Sequence, residues 1–127
     1  MKELTKAEEQ IMQILWEIKT GFVKDILEEI AEPKPAYNTV STIVRILERK
    51  GFVSYKNYGK THQYFPTVSK EQYRKSTLKN IVKGYFDNSF SNLVSHFAKE
   101  QNVSIEELDA MLQTIQNQIE LKQKKDE

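Results

Sequence analysis

A mainly α-helical chain carrying one small β-hairpin wing is predicted by three observations. Apolar side chains recur at i, i+3, i+4 and i+7 in three successive segments of the first half, the mark of helices buried along one side. Two short runs rich in aromatic and β-branched residues then flank a polar Tyr-Gly turn. From Pro66 the helical spacing returns and holds almost to the end.

The elements follow in order. Thr5 and Glu8 form a capping box that opens a first helix, with Ile11, Ile14, Leu15 and Ile18 on its buried side, Met12 and Trp16 widening that stripe, and Thr20-Gly21 ending it. Val23, Ile26, Leu27 and Ile30 mark a shorter second helix that stops before Pro33 and Pro35. Val40, Ile43, Val44 and Leu47 mark a third, closed by Gly51. Strands are expected at 52–55 and 62–65, around a turn at 57–60. Three helices and a hairpin in that order make a winged helix-turn-helix. Ser69 with Gln72 then opens a fourth helix bearing Leu78, Ile81, Val82, Tyr85 and Phe86. After Asp87-Asn88-Ser89 a fifth carries Phe90, Leu93, Val94 and Phe97. Ser104 with Glu107 opens a sixth, where Ile105, Leu108, Leu112, Ile115 and Ile119 alternate in steps of three and four, the spacing of a narrow helix-to-helix seam.

The expected organisation is a winged helix-turn-helix DNA-binding domain over residues 1–68, a helical dimerisation region over 69–122, and a frayed tail over 123–127. The second region is too small to bury its own apolar faces. Each large side chain buried contributes about 1.5–3 kcal/mol, so pairing of two copies through Leu78, Ile81, Val82, Tyr85, Phe86, Phe90, Leu93, Val94, Phe97, Leu108, Leu112 and Ile115 is expected. Folding of these helices back onto the first domain is the alternative.

Charge is unevenly spread. The overall balance is +1, but residues 1–33 carry −4, residues 34–75 carry +7 and residues 76–127 carry −2. Positive charge is thus confined to the segment that contains the third helix and the hairpin, as expected of a polyanion binder. With no cysteine, disulfides and thiol chemistry are excluded. No apolar run exceeds three residues, so neither a membrane span nor a signal-peptide core is expected, and the cytoplasm is the expected location. Four glycines leave no material for a nucleotide-cradling loop, and no hydrolase or metal-ligand motif is present; an enzyme, a cofactor and a small-molecule substrate are not expected.

On the side of the third helix away from its apolar stripe stand Asn38, Thr39, Ser41, Thr42, Arg45 and Arg49. Arg pairs with guanine edges, Asn with adenine, and hydroxyls with either, so this lightly built face suits a DNA major groove. Arg45 is expected to read a base edge, with a phosphate contact or an ion pair to Glu48 or Glu8 as the alternatives. Asn38 either reads a base or caps the helix. Arg49 and Lys50 are expected to touch phosphate or hydrate the helix end. Lys56, Lys60 and His62 on the wing are expected to meet phosphate, with Tyr58 against sugar; a solvated hairpin tip is the alternative.

Leu4-Thr5-x-Ala7-Glu8-x-x-Ile11-Met12-x-x-Leu15-Trp16 resembles the opening of the penicillinase and methicillin-resistance repressors. So do Tyr37-Asn38-Thr39-Val40-x-Thr42, Lys50-Gly51-Phe52, Gly59-Lys60-x-x-x-Tyr64-x-Pro66 and Phe90-x-x-Leu93-Val94-x-x-Phe97. The resemblance spans nearly the whole chain. It implies a homodimeric repressor on a palindromic double-stranded DNA operator, controlling β-lactam resistance genes. It further implies a membrane sensor-protease that inactivates the repressor by cutting the fifth helix between Asn and Phe. This chain has His96-Phe97 at the matching position, and it has Asn38 and Ser41 where the better-known repressors carry larger basic residues. His96 is thus read either as a processing site or as an ordinary helix residue. Two rival functions stand beside this one: a winged-helix protein-interaction module, and a repressor of the same fold released by an effector. A protein-binding face normally displays an apolar anchor, which the third helix lacks.

Overall fold

The computed structural model describes residues 1–100 and 102–126. Its elements are α1 (Lys6–Ile18), α2 (Val23–Glu29), α3 (Tyr37–Arg49), β1 (Val53–Tyr58), β2 (Thr61–Pro66), α4 (Lys70–Tyr85), α5 (Phe90–Lys99) and α6 (Ile105–Asp126). They divide into two compact units, Met1–Leu78 and the chain from Lys79 onward.

The first unit is organised around a core to which every one of its elements contributes. Ile11, Met12 and Leu15 of α1, Ile26 of α2, and Val40, Val44 and Leu47 of α3 are all buried, and Phe52, Val53, Tyr64 and Tyr73 close the cluster. Local chemistry sets the helix ends. The Thr5 hydroxyl accepts from the Glu8 N–H at 3.2 Å and the Glu8 carboxylate accepts from the Thr5 N–H at 3.1 Å, the expected capping box. Asp25 accepts from the Phe22 N–H at 2.9 Å at the start of α2. Lys34 donates from its ammonium to the carbonyls of Leu27 and Glu28, each at 3.0 Å, and to that of Ile30, so its charge is spent on the C-terminal end of α2. Gly51, at φ 83°, ends α3: the Phe52 N–H returns to the Leu47 carbonyl at 2.9 Å and the Gly51 N–H to Glu48 at 3.0 Å, a Schellman closure.

The hairpin differs from expectation in extent. Its ladder pairs Val53 with Pro66 and runs through Tyr55–Tyr64 and Asn57–His62 to Tyr58–Thr61, leaving only Gly59 and Lys60 in the turn. Gly59 takes φ 64°, the condition for a tight two-residue hairpin loop, so the strands extend three residues further on one side than composition suggests. Phe52 lies outside the strand because its N–H closes α3 and its ring fills the core. Gly21 exchanges both backbone hydrogen bonds with Tyr64, at 2.9 and 2.8 Å, tying the α1–α2 connection to the base of the wing.

The Trp16 indole N–H donates to the Val68 carbonyl at 2.9 Å. The Tyr73 hydroxyl accepts from the Leu4 N–H at 3.2 Å and lies 3.1 Å from a Glu9 carboxylate oxygen. The first turn of α4 therefore belongs to the winged unit. Ser69 and Gln72 cap that turn reciprocally, as the sequence pattern predicts.

Within the second unit, Ser89 caps α5 by accepting from the Asn92 N–H at 3.2 Å, and Ser104 caps α6 by accepting from Glu107 at 3.1 Å. Among its described residues only Val82 is buried. No helix among the described residues is long and apolar enough to cross a membrane.

Glu8 is the one buried charged residue among those described, and both its oxygens take the Lys50 ammonium, the longer contact at 3.0 Å. Burial alone would raise its carboxyl, but the Lys50 and Thr5 hydrogen bonds outweigh that and hold it below the ordinary value of 4.5. A depressed carboxylate stabilises the fold in full above that value, and the contribution is lost as pH falls through the folded value. Lys50→Ala is expected to cost about 2 kcal/mol, below the range for a fully buried pair because the ammonium is partly wet, measured by urea unfolding at pH 7. Glu8→Gln is expected to flatten the acid limb of the stability profile below pH 4.5.

Candidate nucleic-acid interface

α3 has a divided surface. Val40, Val44 and Leu47 are completely buried, so the helix cannot rotate, and Asn38, Thr39, Thr42, Arg45 and Arg49 are held in solvent with Ser41 half-buried. Asn38 does not cap the helix. That position is Ala36, which offers no side-chain acceptor, and Asn38 lies inside the first turn with its amide outward. The helix N-terminus is consequently open, a favourable end for negative charge.

Two hydroxyls on this face are already engaged. Thr42 Oγ1 donates to the Asn38 carbonyl at 2.9 Å, and Ser41 Oγ accepts from Arg45 Nη2 at 3.0 Å. Among the described residues Arg45 pairs with neither Glu48 nor Glu8. Arg49 borders the same shallow recess as Thr42, Arg45 and Glu48. Lys50 is the correction here. It points away from this face to Glu8, because the residue after the last turn of α3 faces back toward α1 rather than outward.

Across from α3 stands the wing, and between them runs a groove of about 590 Å³. Ser41, Arg45 and Glu48 line it from the helix, and Lys60, His62 and Tyr64 from the hairpin. The His62 and Tyr55 rings stack at 3.9 Å with an interplanar angle of 3°, and Tyr64 meets both edge-on at about 6 Å. Burial, with the nearby Glu48 charge, raises the Tyr64 phenol, so the groove floor presents a neutral hydroxyl.

Not all the expected wing cations come together. Lys56 pairs with Gln63 while His62 pairs with Asn57, so strand alternation puts Lys56 and His62 on opposite faces of the hairpin. Lys60, in the turn, borders the groove together with His62. Tyr58 sets its ring against Phe22 at 5.8 Å, an edge contact within the protein. Sequence reasoning missed Tyr37, Tyr55 and Lys24, which also line the groove. Tyr37 was findable, since it precedes Ser41 by four residues and Arg45 by eight on one helical stripe.

Of the residues expected at the dimer seam, Leu78, the last residue of the first unit, and Ile81, Tyr85, Phe90, Val94, Phe97, Leu112 and Ile115 of the second are exposed, while Phe86, Leu93 and Leu108 are half-buried. Val82 is the exception, at 1% exposure, and offers no surface to a partner. His96 and Phe97 lie inside α5. The His96 imidazole is 3.4 Å from Glu100 and its ring 5.6 Å from that of Phe86.

A tri-helical core, a polar third helix and a flanking hairpin define a winged-helix protein of the DNA-binding class. The sequence profile of the penicillinase repressor family matches residues 4–117. The chain belongs to that family, whose members are transcriptional repressors rather than enzymes. Methicillin resistance regulatory protein MecI of Staphylococcus aureus (strain N315) is 29% identical over 110 residues, covering 86% of this chain and 89% of that protein. The penicillinase repressor of Bacillus licheniformis is 19% identical over 115 residues, 90% of each chain. Among solved structures, the DNA-binding domain of the repressor BlaI covers 57% of this chain and 94% of that one, with 21% identity and a TM-score of 0.49.

Proposed function

We propose that this protein is a cytoplasmic, homodimeric, sequence-specific repressor that seats α3 of each copy in the major groove of a palindromic operator controlling β-lactam resistance genes. The observation that carries this reading is the divided surface of α3: three side chains fully buried behind, and Asn38, Thr42, Arg45 and Arg49 exposed in front, with Tyr37 in the first turn the one large exposed aromatic of the helix. Family membership and the names of the relatives support the regulated genes. In this reading Arg45 reads a base edge and Asn38 a second, while Thr39, Ser41 and Thr42 let the backbone approach closely. Arg49, Lys60 and His62 take phosphates, and Lys56 takes one from the other face of the hairpin. The partners are double-stranded DNA and a second copy.

Pairing through the second unit is supported by its lack of a core of its own. Phe90, Phe97, Leu112, Ile115 and Ile119 are each about half exposed, and among the described residues of the unit one side chain is buried. For release we propose cleavage in α5 between His96 and Phe97 by a membrane sensor-protease. α5 has no buried residue, so opening it locally costs little.

Arg45→Ala is expected to lose discrimination between operator and scrambled duplex, and Lys60→Ala to weaken both alike and lower the salt slope of log K by about 1; gel-shift titrations across salt concentrations check this. Sedimentation velocity is expected to show a dimer, and Ile115→Asp a monomer whose operator affinity falls about a hundredfold. A monomeric wild-type chain at tens of micromolar would overturn the pairing. A low dose of chymotrypsin is expected to cut in α5 while Met1–Leu78 survives, read by mass spectrometry.

A further inference from the structure

We infer that Ser41 is a positioning residue: it seats the Arg45 guanidinium over the N-terminal half of α3 and thereby fixes the base pair at which this repressor demands guanine. The inference rests on α3 being the helix that enters the major groove.

Long side chains on a helix lean toward its N-terminus, so the Arg45 head group lies over the turn that holds Ser41 and Thr42. There Nη2 donates to Ser41 Oγ at 3.0 Å. The alternatives for Arg45 are closed or unused. Glu8 is taken by Lys50, Glu48 makes no ion pair with Arg45 among the described residues, and the Thr42 hydroxyl donates to the Asn38 carbonyl.

A guanidinium has five N–H donors in a rigid fork, so one spent on Ser41 leaves enough to meet guanine O6 and N7 together. Rotamer freedom that a loose arginine would lose on docking is already restricted before DNA arrives. The seat needs a residue that is small and that accepts a hydrogen bond. A long side chain at position 41 would occupy it, and alanine would leave it without an acceptor.

The test uses the full chain and an operator selected from a randomised duplex library with the wild-type protein. Dissociation constants are measured for that operator and for every single-base variant of one half-site, with wild type, Ser41→Ala, Ser41→Thr, Arg45→Ala and the Ser41→Ala/Arg45→Ala double variant. Ser41→Ala is expected to lose about five- to tenfold in discrimination, at one guanine pair only, the same pair that Arg45→Ala affects. Ser41→Thr restores discrimination, and the double variant is no worse than Arg45→Ala. A Ser41→Ala profile identical to wild type, a loss spread evenly over the half-site, or a loss additive with Arg45→Ala overturns the inference while leaving operator binding intact. If the wild-type chain itself prefers no duplex over another, the operator-binding reading fails first and this inference with it.

Discussion

The first unit depends on the burial of one stripe of α3. Val40, Val44 and Leu47 show no exposed surface, packed among Ile11, Met12 and Leu15 of α1 and Ile26 of α2. Each helical residue turns the face by roughly 100°, so a shift of one position would drive Arg45 into the site of Val44. That would bury a charge with no partner. The penalty fixes the helix phase, and with it the directions of Asn38, Thr42, Arg45 and Arg49. The polar face is thus specified by the apolar one, and its exposed residues are free to differ from those of relatives without disturbing the fold.

The same core decides which cations remain available. Lys34 closes the C-terminal end of α2 and Lys50 neutralises buried Glu8, so two members of the basic segment are engaged by the protein's own groups. A buried ion pair contributes little net stability against an apolar pair of similar volume. What Glu8 and Lys50 supply is geometry: they join the first turn of α1 to the end of α3, while the Schellman closure at Gly51 turns the chain into the wing. α3 and the hairpin therefore share one anchor, and the groove between them has fixed walls.

Much of this was legible from residue order because it is local. The three capping pairs, the phase of α3 and the stop at Gly51 depend on residues within a turn or two of each other. The misses have partners far along the chain. Lys50 meets Glu8 across 42 positions, Trp16 meets Val68 across 52, and the Tyr73 hydroxyl holds Leu4 across 69. One clue was present for the first. Glu8 precedes Ile11, Met12 and Leu15 by three, four and seven residues, which puts its carboxylate on the buried side of α1, where it requires a cation. Composition locates the hairpin but leaves its strands short, because only the φ of Gly59 shows how tight the turn is. Once the register is known, the separation of Lys56 from His62 follows from strand alternation alone.

The two units differ in what sustains them. The first has a core drawn from α1, α2, α3, the hairpin and Tyr73. In the second, the one valine buried among the described residues cannot offset the entropy of ordering three helices. On the proposed dimer, that deficit becomes functional. The order of the second unit would depend on protein concentration, because association supplies the missing burial. Operator affinity would then follow, since two linked winged units bind a palindrome far more tightly than either does alone. On the proposed mechanism, a cut in α5 would release DNA without touching the α3 surface. Removing the apolar faces of α6 would lower the effective concentration of the second winged domain at its half-site, and the avidity of the pair would be lost.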